Sequence, residues 1–274
     1  MEVTKKAHVT NPNLNIKSFS GTNEKLFKEL EKVEEFVKQN KEPVNYEKMI
    51  GKSKVVFASD NHTSISTKEE IINNLKLFKE LGITVVALEM FDEKDQKILD
   101  NYFADRATKK DLEKALYGWE KGPGIIDEYI KIVDKCKELG IRVIGIDTSG
   151  EVYRRNSLGS TLEERNNKWV YVTNRALKED PHAKALVFGG SAHFGDNQDT
   201  ANKIAERYGI PYTVIEFIGI EKSDNRTYYF YFPDFDSELP IAIDRLGLEN
   251  EKFELPKKER HFLVHLPQVE DRRF

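Results

Sequence analysis

The sequence predicts an α/β protein: a mainly parallel open sheet flanked by helices, with a small helical insertion and antiparallel edge strands near the C-terminus. Three observations predict it. Apolar runs of strand length recur at residues 54–59, 83–89, 141–147, 183–190 and 211–217, and those at 54–59, 83–89 and 183–190 are bounded by polar or glycine residues. Between the first two, Ile71, Ile72, Leu75, Phe78 and Leu81 fall at helical spacing and stop at Gly82, which makes a strand–helix–strand crossover and hence a parallel pair. Finally, three runs end abruptly on a carboxylate or a histidine. These are Phe57-Ala58-Ser59-Asp60-Asn61-His62, Ala87-Leu88-Glu89-Met90-Phe91 and Gly189-Gly190-Ser191-Ala192-His193. In open α/β sheets the ligand crevice lies beyond the carboxyl ends of the strands. Asp60, His62, Glu89 and His193 are therefore expected on one edge of one sheet.

Taken in order, residues 1–50 read as an arm followed by an amphipathic helix, with Leu26, Phe27, Leu30, Val33, Phe36 and Val37 at helical spacing. Residues 51–267 read as the main α/β domain and 268–274 as a frayed tail. Thr67-Lys68-Glu69-Glu70 has capping-box form and is expected to open the first crossover helix. Residues 92–103 and 108–117 read as two short helices within an insertion spanning about 92–124, a lid over the crevice with Trp119 facing the ligand or packed on the helix beneath it. A long helix over 125–139 ends at Gly140. Residues 151–160 read as a mobile loop, and Thr161-Leu162-Glu163-Glu164 as a second capping box. A helix over 199–208 stops at Gly209. Residues 227–232 and 260–266 read as late strands, antiparallel at a sheet edge.

Composition narrows the function. The 274 residues are 39% hydrophobic and 33% charged, which suits a packed, charged globular chain. A formal charge of −4 argues against nucleic acid as a partner. No apolar run reaches the roughly 18 residues of a membrane helix, and Met1-Glu2-Val3-Thr4-Lys5-Lys6 opens no signal peptide, so the expectation is a cytoplasmic protein. Cys136, the only cysteine, sits in a helical apolar pattern and reads as core.

His, Asp and Glu at strand ends suit two chemistries. They can bind a divalent metal that polarises water, or work without metal as general base and acid. Each also has a plainer reading: His62 as a turn residue, Glu89 as the ion-pair partner of Arg165, Gly189-Gly190 as a strand terminus. No zinc-protease, nucleophile-elbow, Walker or dinucleotide-binding pattern is present.

The order of these motifs resembles the superfamily that groups ChaN-like haem-binding proteins, erythromycin esterases and TraB/Tiki-type metallohydrolases. Ser59-Asp60-Asn61-His62 is similar to its Gly-Glu-x-His, with Ser for Gly and Asp for Glu. Glu89 matches the Glu that ends its second strand, and Gly190-Ser191-Ala192-His193 matches its Gly-x-x-His. Arg165-Asn166-Asn167-Lys168-Trp169 resembles its Arg-Asn/Asp element, and His261-Phe262-Leu263-Val264-His265-Leu266-Pro267 its last strand.

These readings converge on a hydrolase acting on a small-molecule or peptide substrate. His62 or His193 would be the base, or both would be metal ligands with Asp60 and Glu89. Asp60 and Glu89 would otherwise orient an imidazole, and Arg165 would stabilise an oxyanion. The resemblance also implies two alternatives: a non-catalytic binder of haem or another small ligand, and a toxin- or effector-type domain whose altered first motif marks a degenerate site.

Overall fold

The apolar runs form strands, and the strands share one sheet. The computed structural model describes residues 42–119, 124–148, 158–195, 197–218, 241–244 and 261–265. The expected helix over 24–39, the strand at 227–232, residues 151–157 and the tail lie outside these residues. The strands are β1 (Glu42–Pro43), β2 (Val55–Asp60), β3 (Ile83–Asp92), β4 (Arg142–Asp147), β5 (Lys184–Gly190), β6 (Tyr212–Ile218), β7 (Ile241–Asp244) and β8 (His261–His265). Their spatial order is β1-β7-β8-β6-β2-β5-β3-β4. From β8 to β4 every pair is parallel. The antiparallel edge is made by β7 and β1. β8, expected as one of the antiparallel edge strands, pairs antiparallel with β7 on one side and parallel with β6 on the other.

Helices cover both faces, which is why the central strands are apolar throughout rather than alternating. On one face lie α1 (Tyr46–Ile50), α2 (Ile65–Glu80), α3 (Gln96–Phe103), α4 (Lys109–Ala115) and α5 (Ile125–Leu139). Ile71, Leu75, Phe78, Ile132 and Val133 pack there against Val56, Ala58, Val86 and Leu88. On the other face lie α6 (Leu158–Glu179) and α7 (Ala201–Arg207), with Trp169, Val170 and Ile204 against Val55, Phe57, Val85 and Ala87. Side chains alternate between faces along a strand. Asp60 therefore falls on the face of α2 and α5, and Glu89 on the face of α6.

Three boundaries differ from the sequence reading, each for a local reason. β3 continues to Asp92, past Glu89, because its pairing with β4 shifts register between Leu88 and Asp92. α2 starts at Ile65 behind Ser64, so Thr67 is not its cap. The Thr67 hydroxyl bonds the Ser64 carbonyl and the Asp60 carboxylate instead. α6 begins at Leu158, ahead of Thr161, which places Arg165 two turns inside the helix rather than at its opening. The insertion after β3 does hold two short helices. A 3₁₀ turn capped by Asp92 leads into α3, and a Thr108–Asp111 capping box opens α4. The Gln96 amide pairs with Val143 O at 3.1 Å and Gly145 N at 3.0 Å, occupying backbone groups of the edge strand β4.

Candidate functional site

Asp60, His62, Glu89, Arg165 and His193 meet at the carboxyl edge of the sheet, in two groups that come from opposite faces. The first group is built on Asp60, the last residue of β2. Its carboxylate is buried and accepts from Lys68 Nζ at 2.7 Å and Thr67 Oγ1 at 3.0 Å through Oδ1. Oδ2 accepts from Tyr129 OH at 2.5 Å and from His62 Nδ1 at 2.9 Å. Lys68 is fully buried on α2; it also bonds the Asn61 carbonyl and lies over the Tyr129 ring. Burial alone would raise the Asp60 pKa, but the Lys68 charge and then the His62 bond outweigh it and hold the group below the ordinary aspartate range. Burial and the neighbouring Asp60 push the Tyr129 phenol far above its usual range, so it remains a donor.

The second group is built on Glu89, also buried. Oε1 accepts from Arg165 Nη2 at 2.5 Å and faces His193 Nε2 at 3.3 Å. Oε2 accepts from the Gly190 N–H at 2.6 Å. Arg165 also donates Nε and Nη2 to Asp147 at 2.8 and 2.7 Å, so its guanidinium joins the ends of β3 and β4. Burial raises the Glu89 pKa; the His193 bond and charge, followed by the charges of His62 and Arg165, bring it down to about 2. His193 Nδ1 meets Asn166 Oδ1 at 2.6 Å. Asn166 Nδ2 donates to the Asp199 carbonyl, which fixes the amide so that its oxygen accepts from the His193 ring.

His62 joins the groups. Its Nδ1 is held by Asp60, and Nε2 lies 3.7 Å from Glu89 Oε2. At 28% side-chain exposure it is the imidazole open to solvent, whereas His193 is enclosed at 3%. The crossing passes over β5, which lies between β2 and β3, at Gly189 and Gly190. A Cβ on Gly189 would stand 2.6 Å from the Trp169 ring and 2.9 Å from Glu89 Oε2, and one on Gly190 would stand 2.8 Å from His62 Nε2. The glycine pair makes room for the site's own side chains. Trp119, at the end of the helical insertion, meets the His62 ring edge-on at 5.0 Å and is partly packed against the core beneath.

Sequence reasoning missed Lys68, Tyr129, Asp147, Asn166 and Trp169. Asp147 carried a readable signal, since it ends an apolar strand in the same way as Asp60. Asn166 and Trp169 stood inside the Arg165 element without an assigned role. Lys68 and Tyr129 gave none, because a lysine in a polar first turn and a tyrosine on an apolar stripe are ordinary.

The expected metal set of His62, Asp60, Glu89 and His193 does not fit a cation. Among the described residues, no group of three or more His, Cys, Asp or Glu is arranged to hold one. The carboxylates are already turned to Lys68, Arg165 and N–H or O–H donors. The described residues also include no helix long and apolar enough to cross a membrane.

A doubly covered, mainly parallel sheet with acid and imidazole groups at its carboxyl edge defines an α/β protein with a buried polar cluster at that edge. The chain belongs to the family described as haem-binding uptake, Tiki superfamily, ChaN, whose model matches residues 48–206 and so spans both groups of the site. Similar solved structures include the type III effector HopBA1, at 16% identity over 79% of this chain and 88% of that one, with a TM-score of 0.54. They also include ChaN of Campylobacter jejuni with cofacial heme, at 15% identity over 67% and 88% of the two chains, TM-score 0.41. RRSP, a MARTX toxin effector domain from Vibrio vulnificus, matches at 18% identity over 61% of this chain and 34% of that one, TM-score 0.45. At these identities the likeness speaks to the fold. A search of curated proteins found no match.

Proposed function

We propose that the chain is a metal-independent hydrolase in which His62 is the general base. The observation that carries this reading is the Asp60–His62 pair. Asp60 accepts the Nδ1 proton at 2.9 Å, so Nε2 keeps its lone pair, on a side chain that is 28% exposed to solvent. A water at that nitrogen gives up its proton as it attacks the substrate, and Asp60 balances the imidazolium that forms. Lys68, Thr67 and Tyr129 fix Asp60 in turn. Glu89, next to Nε2, orients the ring and the water. Arg165 is assigned to holding Glu89 and Asp147 rather than to an oxyanion, because those carboxylates take its Nε and Nη2 donors.

The test is a panel of ester, amide and phosphodiester substrates with wild-type protein and His62→Gln. Turnover of one class, reduced about 100-fold or more in the variant at unchanged thermal stability, is the expected result. Silence across the panel, or full turnover without His62, overturns it.

Membership in a haem-binding family favours a second reading, a haem-binding protein. The donor types at the mouth suit it: His62 would supply the axial nitrogen and Trp119 a flat apolar wall. Bound haem would supply an iron centre whose reactivity its axial ligand tunes. Hemin titration of wild type and His62→Gln reads this directly. A Soret band that develops in both alike refutes His62 as the ligand.

A further inference from the structure

Both partners of Glu89 Oε1 rest on one buried side chain. Trp169 is fully buried on α6 and stacks on the His193 ring, with centroids 3.9 Å apart and planes inclined by 22°. Its Nε1–H donates to Asp147 Oδ1 at 3.1 Å, the oxygen that also accepts from Arg165 Nε at 2.8 Å. The Arg165 guanidinium carbon lies 5.8 Å from the Trp169 ring centre. Arg165, Asn166 and Trp169 follow one another at positions i, i+1 and i+4 of one helix, so they share a face. That face reaches three strands: Asp147 ends β4, Glu89 lies three residues before the end of β3, and His193 follows β5. The space the indole occupies exists because residue 189 is glycine; a Cβ there would come within 2.6 Å of Trp169 Cη2.

We propose that Trp169 is a positioning residue. Its ring face sets the plane of His193 while the Asn166 oxygen accepts from Nδ1. Its N–H holds Asp147 against Arg165. Together these fix Arg165 and His193, the two partners of Glu89 Oε1, and so aim Oε2 at the Gly190 N–H and at His62. The indole thus acts on the reacting end of the site through two intermediaries and touches no substrate. Trp169 offers both a flat face and an edge donor; Phe keeps only the face, and Leu offers neither.

This rests on the acid–base reading of the site, but its test needs no substrate. Imidazole-labelled protein is followed by nitrogen–proton NMR, using exposed His182 as the internal reference. In wild type, the His193 ring protons should be displaced upfield by the indole face relative to those of His182. The His193 Nδ1–H should be visible and protected from exchange with water. Trp169→Phe should keep both signatures, since it keeps the stack, while Trp169→Leu should lose the ring displacement and the protected proton with amide dispersion intact. Absence of the upfield displacement in wild type overturns the proposal whatever the variants do. So does a protected Nδ1–H in Trp169→Leu, which would mean that Asn166 alone holds the ring, or its loss in Trp169→Phe. If the Leu variant does not fold, the wild-type and Phe spectra decide. A silent substrate panel beside a locked His193 would refute the hydrolase reading and leave Trp169 in place.

Discussion

Replacing Glu89 by Gln changes one atom and disrupts contacts that only a carboxylate satisfies. Oε1 accepts from Arg165 at 2.5 Å and Oε2 from the Gly190 N–H at 2.6 Å. A carboxylate accepts on both sides, whereas an amide accepts on one and donates on the other. Whichever way the Gln is turned, its NH₂ meets a donor, and a buried donor without an acceptor costs about 1–3 kcal/mol. The lost charge is a second measure of the same carboxylate contacts, not a further increment. The Glu89 pKa is held down from 4.5 to about 2, which at about 1.4 kcal/mol per pK unit amounts to roughly 3 kcal/mol favouring the ionised form. Arg165 keeps its two bonds to Asp147, so the loss stays below the roughly 3–5 kcal/mol of a buried charge stripped of its partner. Glu89→Gln should therefore fold and lose about 2–4 kcal/mol in urea denaturation at pH 7. The acid side carries a second signature. A depressed carboxylate pKa gives stability that is complete above the unfolded value of 4.5 and is lost as pH falls toward about 2. The wild type should lose that increment across this window, and the variant should show a shallower decline there. Activity per folded molecule should fall about 100-fold, as for loss of one preorganised electrostatic partner. A variant within about 0.5 kcal/mol of wild type, with the same acid profile, would refute the electrostatic reasoning. A destabilised variant whose folded fraction keeps full activity would make Glu89 purely structural.

Further outcomes follow from neighbouring contacts. Lys68→Met leaves the buried Asp60 carboxylate without its 2.7 Å ion pair and should cost about 3–5 kcal/mol in chemical denaturation; a neutral result would refute an ionised Asp60. Gly189→Ala presses a Cβ into the buried Trp169 ring and should cost about 1–3 kcal/mol. Gly190→Ala presses instead on the half-exposed His62, which can swing away, so turnover or ligand binding should fall more than the melting temperature. Cys136 is buried and its thiol pKa is raised by burial, so alkylation in the native state should be far slower than in urea.

The strand ends were legible because their signal is local. A carboxylate or imidazole closing a run such as Thr84-Val85-Val86-Ala87-Leu88 is unusual within a window of a few residues, and neighbouring parallel strands deliver such ends to one edge. The pairing of Glu89 with Arg165 was legible as the plainer alternative, and it is present. What that reading lacked was Asp147, the second carboxylate on the same guanidinium, although it closes Val143-Ile144-Gly145-Ile146 by the same rule. Helix starts were less legible, since a capping box is a pattern of residue types and the hydroxyl of Thr67 had a stronger partner. Asp60 is charged and buried, and it draws Thr67 and Lys68 of the first turn of α2 toward itself.

Strand order was the part the sequence could not carry, and the site depends on it. β2 and β3 follow one another in the chain, yet β5 lies between them. Asp60 is paired with Gly190, and Leu88, just before Glu89, with Phe188. Pleat alternation sends Asp60 toward α2 and α5 and Glu89 toward α6, so each group pairs its own acid and imidazole, Asp60 with His62 and Glu89 with His193, on opposite faces of the sheet. They communicate only over the top of the intervening strand, through His62, which leaves the first face and ends 3.7 Å from the carboxylate of the second. Any side chain on that strand end would occupy the passage. The Gly189-Gly190 pair is room for Trp169, Glu89 and His62, and its Gly190 N–H also holds the second oxygen of Glu89. A third strand without side chains at its end is therefore as much a part of the site as the residues that carry charge.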